Sequence, residues 1–377
     1  MRVYFDNAAT TPILDEVIDA MSRSMRENFG NPSSIHREGR TARAAVEQAR
    51  KVVAQSLGAS IGEIFFTSCG TESNNMVLKN AVRDLGVTRI ISSPIEHHCV
   101  LHTVDRIGKE TPVKLEQVKL DESGHVDLDH LRTLLSTEHP GKTLVSLMHS
   151  NNEIGTMIDL EEIGELCAEY GAYFHSDTVQ TVGYFPIDLS RLKVNFISGS
   201  AHKFHGPKGV GFVYINNDNI LEPYLDGGAQ ERNMRGGTEN IYGIVGLAKA
   251  LELAVSEMDQ RRAYITGIRD YFREQLLAQF PDITFNGDPD GRAHYKVLSV
   301  DFPPSEKASL ILFNLDIAGI SVSGGSACSS GIDTGSHVIS ALKPDSDRHT
   351  VRFSFSHLNT REEVDQVISK LKEILPA

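Results

Sequence analysis

The chain has 377 residues, 40% hydrophobic and 23% charged, with a formal net charge of −13 at pH 7. This length exceeds one small core and fits two packed domains, and the acidic balance argues against a nucleic-acid-binding surface. No apolar run reaches the roughly 18 residues of a membrane span, the N-terminus lacks the apolar core of a signal peptide, and the cysteines (Cys69, Cys99, Cys167, Cys328) include no CxxC pair. A reducing, cytoplasmic setting without a membrane partner is expected.

After a short N-terminal strand, Val17, Met21 and Met25 recur at helical spacing. Ala42, Ala45, Val46, Ala49, Val52 and Val53 repeat the pattern up to a stop at Gly58. From about residue 63, short apolar runs alternate with helical ones, and strands are predicted at 64–67, 89–92, 144–149, 173–175, 195–198 and 210–215. Such alternation predicts a mostly parallel sheet covered by helices on both faces, with ligands at the carboxyl ends of the strands. A long helix over 241–280 leads into a smaller region with strands at 283–285 and 296–302, a helix over 305–315, a Gly/Ser loop and a strand at 350–355. A final helix opens with the capping box of Thr360 and Glu363. No Pro/Gly-rich linker separates the halves.

The loops after the predicted strands carry the chemistry. Lys203 closes Ser198-Gly199-Ser200-Ala201-His202-Lys203, and Asp177 closes the stretch 172–177. A lysine able to form a Schiff base and an aspartate able to keep a pyridine nitrogen protonated are the minimum equipment for pyridoxal phosphate chemistry. Singly they read as a solvated lysine and a helix cap; at the ends of two strands they point to one ring. Gln180 and Asn152 are candidates to reach its phenolic oxygen. The run Ser68-Cys69-Gly70-Thr71-Glu72-Ser73-Asn74-Asn75 is either an ordinary strand-to-helix turn or a dianion cradle built on a helix N-terminus, with Ser200 and His202 as added donors. His98 and His102 share a helix face near Cys99, but no second half of a metal motif follows. No metal is expected, and His97 is read as an imidazole stacked on the cofactor ring. Cys328 stands apart, in a segment (321–331) made almost wholly of Ser, Gly and Ala. Such a segment is expected to be exposed and mobile, and its thiol suits nucleophilic attack better than core packing.

Together with Asp6-Asn7-Ala8-Ala9-Thr10-Thr11-Pro12, Asn31-Pro32-Ser33-Ser34, Glu96-His97, Asn151-Asn152-Glu153-Ile154-Gly155, Met234-Arg235-Gly236-Gly237-Thr238, Gly325-Ser326-Ala327-Cys328 and Arg352-Phe353-Ser354, these residues carry a resemblance running nearly end to end. The chain resembles the pyridoxal-phosphate-dependent cysteine desulfurases, the NifS/IscS-like, long-loop members of the class V aminotransferases. The resemblance implies an α/β, fold type I PLP-dependent transferase. Its large domain (13–257) would have a mostly parallel sheet, and its smaller α+β domain (1–12 and 258–377) would carry the cysteine loop.

The resemblance also implies roles. Lys203 would carry the cofactor and move protons. His97 would stack on the ring, Asp177 would pair with its nitrogen, and Asn152 and Gln180 would contact its oxygen. Gly70, Thr71, Ser200 and His202 would hold the phosphate, and Thr238 would reach the phosphate in the neighbouring subunit of a homodimer. Arg352, with Asn152, would bind the carboxylate of L-cysteine. Cys328 would take its sulfur as a persulfide, release alanine and pass the sulfur to an acceptor protein for iron–sulfur clusters or thio-cofactors. The alternative is a selenocysteine lyase or another class V enzyme. One departure is Cys69, which stands where relatives usually carry a small residue and reads as inert packing.

Overall fold

The computed structural model describes residues 2–324 and 335–375. After strand β1 (Val3–Tyr4), a central sheet is built from β2 (Ile64–Thr67), β3 (Val87–Ser92), β4 (Lys114–Gln117), β5 (Lys142–Ser146), β6 (Tyr173–Asp177), β7 (Phe196–Ser200) and β8 (Gly211–Ile215). Its order is β2-β8-β7-β6-β5-β3-β4. β8 runs antiparallel to both neighbours and every other pair is parallel. Every residue of β2, β7 and β8 is buried, as a sheet covered on both faces requires. This is the expected α/β sheet. β4 was not anticipated: its sequence Lys-Leu-Glu-Gln is largely exposed and it bonds only to β3 at the sheet edge, so no apolar run announces it.

The helices fit their predicted apolar stripes with two corrections. The single helix expected over 241–280 is two, Ile241–Ser256 and Met258–Gln279, joined at Glu257 (φ −111, ψ 11). The first packs on the N-terminal helices Asp15–Glu27 and Arg37–Ser56, the second on the last helix, Arg361–Ile374. Two different surfaces demand a change of direction, and no Gly or Pro marks it. The helix expected over 305–315 likewise breaks at Leu310 into Glu306–Ser309 and Ile311–Ile317. Gly58, at φ +64, ends the second helix in the left-handed conformation that glycine adopts freely. The Thr360–Glu363 capping box is formed.

A second, antiparallel sheet has the order β12-β10-β9, from β9 (Thr284–Asn286), β10 (Val297–Phe302) and β12 (His349–Ser354). β1 pairs with β11 (Ile320–Ser321), and Asp6 forms a bridge with Ser354. The N-terminal residues therefore lie with the C-terminal ones. Beyond them the chain straps back to the central sheet: Thr11 N–H donates to the His202 carbonyl at 2.9 Å, and Gln180 Nε2 donates to the Ala8 carbonyl at 3.0 Å. Among the described residues no helix is long and apolar enough to cross a membrane.

Candidate active site

A cavity of about 210 Å³ lies where β6 and β7 end, roofed by the N-terminal strap at Ala8 and Ala9. Asp177 is the last residue of β6 and Ser200 the last of β7; Lys203 ends the single 3₁₀ turn Ala201–Lys203 that follows. Strand registry thus brings carboxylate and amine to one opening. Lys203 Nζ donates to the carbonyls of Ala8 (2.7 Å) and Ala9 (2.8 Å). Asp177 is buried, with Oδ2 accepting from Asn74 Nδ2 at 2.6 Å and Oδ1 accepting from the Val179 N–H at 2.9 Å.

The helix Gly70–Asp84 starts against this cavity, with Gly70 and Thr71 in its wall. The first N–H groups of a helix have no intrahelical acceptor and favour an anion. Gly70 is needed for the close approach, because a Cβ there would sit 2.5 Å from Val179 Cγ2. Ser200 Oγ and Gln180 Oε1 are buried in the wall without a hydrogen-bond partner. His202 shares the wall, with Nδ1 3.1 Å from Thr10 Oγ1; burial, helped by the charge of Lys203, pushes its pKa down to about 3. It is therefore a neutral imidazole near neutral pH.

His97 faces the cavity from the cap of the helix His98–Glu110. Its Nδ1 accepts from the Cys99 N–H at 3.1 Å and lies 2.9 Å from Cys99 Sγ. Burial lowers the His97 pKa, only partly opposed by the carboxylate of Asp177. Burial also raises the Cys99 thiol to about 12, with Asp177 adding to the effect. The thiol thus stays protonated, Nδ1 is the acceptor, and Nε2 carries the imidazole proton.

On the opposite side, Arg352 from β12 reaches the cavity fully buried. Its Nη2 is 2.8 Å from Asp6 Oδ1, and its Nη1 donates to the Asn152 carbonyl at 2.8 Å. Asn152 itself lines the cavity. Thr238 is not brought here. It is exposed and lines a separate cleft with Ser68, Glu231 and Arg235. Cys328 lies outside the described residues. Met148, Val179, Cys69, Cys99 and Asn74 also line the cavity; a sequence reading gave the last of these no role, because a polar residue inside a helix resembles a solvated one. His98 and His102 stack with ring centroids 5.1 Å apart, but among the described residues no group of three His, Cys, Asp or Glu side chains is placed to hold a metal.

Fold and cavity together define an α/β enzyme with its ligand site at the carboxyl ends of parallel strands. The family model for class-V aminotransferases matches residues 3–367. The cysteine desulfurase IscS of Dictyoglomus turgidum is 42% identical over 381 residues, covering 99% of this chain and 94% of its own length. That of Methanosarcina thermophila is 44% identical over 378 residues, covering 99% and 92%. A solved NifS-like protein superposes with a TM-score of 0.91 at 38% identity, covering 99% of both chains. The chain belongs to the class-V aminotransferases, and within them to the cysteine desulfurases.

Proposed function

We propose that the cavity holds pyridoxal 5′-phosphate and that the chain removes sulfur from L-cysteine, releasing L-alanine. One observation carries the reading: Lys203 and Asp177, from the ends of neighbouring strands, share a cavity with a helix N-terminus at Gly70 and Thr71. The residues present fit the cofactor. A buried hydroxyl (Ser200) and a buried amide oxygen (Gln180) lack partners in the wall. The helix N-terminus suits a phosphate, and the buried carboxylate of Asp177 suits a protonated ring nitrogen.

Bound pyridoxal phosphate supplies an electron sink for the pair released when the carbon–sulfur bond of cysteine breaks. The chain does the rest. Lys203 holds the cofactor and afterwards serves as the proton carrier, starting from a position fixed by two backbone carbonyls. His97, neutral with a proton on Nε2, lines the cavity and would donate that proton where charge develops. Arg352 receives the substrate carboxylate, its guanidinium oriented beforehand by Asp6 and the Asn152 carbonyl. Cys328, as thiolate, attacks the substrate sulfur; a sulfur–sulfur bond forms as the carbon–sulfur bond breaks, and the persulfide is handed to an acceptor thiol. Thr238, exposed beside Arg235, reaches the phosphate of a second copy in a homodimer.

The chain divides into a large domain (13–257) and a small one (1–12 with 258–377). The pairing of β1 with β11 and the bridge from Asp6 to Ser354 support this division. The test is covalent. The purified chain with pyridoxal phosphate should absorb near ~400 nm, and borohydride reduction should fix the cofactor on the peptide containing Lys203. Fixation on another lysine, such as the buried Lys296, contradicts the assignment.

A further inference from the structure

Asp177 and Asn74 in the cavity wall continue into a buried polar network whose other members the reaction as described does not use. Ser146 on β5, His175 and Asp177 on β6 and Ser198 on β7 share one face of the sheet, since His175 and Asp177 are two apart and Asp177 pairs with Ser198. The helix Gly70–Asp84 covers this face and drops Asn74 onto it; Asn74, His175, Ser146 and Ser198 are all fully buried. Ser198 Oγ donates to Asn74 Oδ1 at 2.6 Å, and His175 Nε2 lies 3.1 Å from the same oxygen. Burial pushes the His175 pKa down to about 3. The ring is neutral, takes the Ser146 hydroxyl (2.9 Å) on Nδ1, and carries its proton on Nε2.

These donors settle which way the Asn74 amide points. Its oxygen is taken by Ser198 and His175, so its nitrogen faces Asp177 Oδ2 at 2.6 Å. The Val179 N–H holds the other oxygen. One donor on each oxygen fixes the carboxylate plane. A carboxylate held in one plane offers its charge in a fixed direction, and an opposite charge close by favours the protonated form of a ring nitrogen. The same amide nitrogen lies 3.2 Å from Cys99 Sγ, the atom that touches His97.

We propose that Asn74 is a positioning residue of this site: oriented by Ser198 and His175, it aims the Asp177 carboxylate and keeps the proton on the cofactor ring nitrogen. The inference rests on the cofactor reading above. The test loads wild type, Asn74→Ala and Ser198→Ala with pyridoxal phosphate labelled with nitrogen-15 in the ring. It reads the ring-nitrogen NMR shift and the cofactor dissociation constant. Wild type should give the protonated signal. Asn74→Ala should move it toward the unprotonated position and weaken binding by about tenfold. Ser198→Ala, which frees the amide to rotate, should move both in the same direction by less, and it carries the test if Asn74→Ala does not fold. A protonated signal and unchanged affinity in the folded variants overturn the inference alone. A wild-type chain that binds no pyridoxal phosphate overturns the cofactor reading and the inference together.

Discussion

Arg352 Nη2 meets Asp6 Oδ1 at 2.8 Å, joining residues from opposite ends of the sequence at the edge of the cavity. Ser323 Oγ donates to the same carboxylate oxygen, also at 2.8 Å. The guanidinium is thereby held with one wing on Asp6 and the other on the Asn152 carbonyl. A lysine could not keep both contacts and also grip a carboxylate with two parallel bonds. Arg352→Lys should raise KM for L-cysteine by about 10- to 100-fold with a smaller change in kcat. Steady-state kinetics checks this, and an unchanged KM contradicts the carboxylate role.

The close packing at Gly70 gives a second prediction. The Cβ of Gly70→Ala would displace Val179, whose N–H anchors Asp177. Cofactor affinity should fall by about tenfold and recover in the double variant Gly70→Ala/Val179→Ala, since neighbouring substitutions couple. Titration with pyridoxal phosphate reads both. Equal losses in the single and double variants would assign the effect to the helix N-terminus alone.

Stability should peak near pH 6.5. Burial lowers His149 to about 4 and His175, His202 and His205 to about 3. Between these values and the unfolded value of about 6.5, the unfolded chain binds more protons. Stability therefore falls as pH drops below 6.5, by up to about 1.4 kcal/mol per pH unit for each histidine. Glu96 has the opposite sign. Burial raises it to about 8, so above the ordinary carboxylate range the folded state holds a proton that the unfolded chain has released, and stability falls as pH rises toward 8. Urea unfolding from pH 5 to 8 should give a maximum, and Glu96→Gln should flatten its alkaline side.

The segment leading to Thr238 depends on a buried ion pair. Arg50 Nη1 and Nη2 bond to Glu231 Oε2 (2.6 Å) and Oε1 (2.9 Å), and Glu231 Oε2 also accepts the Phe66 N–H at 2.7 Å. Glu231, Arg232 and Asn233 all have positive φ, at 46, 55 and 66, a strained run that this pair holds in place. Glu231→Ala removes the buried carboxylate that Nη1 and Nη2 hold, leaving the guanidinium only Glu47 Oε1 at 3.2 Å and the Ile64 carbonyl at 2.9 Å, and should cost about 3 kcal/mol in chemical unfolding. A loss within experimental error would mean that the turn is held by other contacts.

What the sequence made legible follows from where side chains meet backbone. Strand-then-helix alternation gave the parallel sheet, because burial on both faces demands continuous apolar runs. Lys203, Asp177, Gly70 and His97 stood out because each stands at or shortly beyond the carboxyl end of a strand, and all four line the cavity. Asn74, His175 and Ser198 did not. Inside a helix or strand, polar residues of these types are indistinguishable from solvated or capping ones until the sheet and its covering helix are assembled. The bend at Glu257 was hidden for a related reason: it is set by the two surfaces its helices pack on.

On the proposed reaction, Cys328 takes the sulfur of a cysteine held beside Lys203. Mass spectrometry of the peptide containing Cys328, after incubation of the loaded enzyme with L-cysteine and no reductant, tests it most directly. A gain of one sulfur atom (about 32 Da) on Cys328, absent in Lys203→Ala, is the predicted result. An unmodified Cys328 alongside released alanine, or the added sulfur on Cys69 or Cys99, would contradict it.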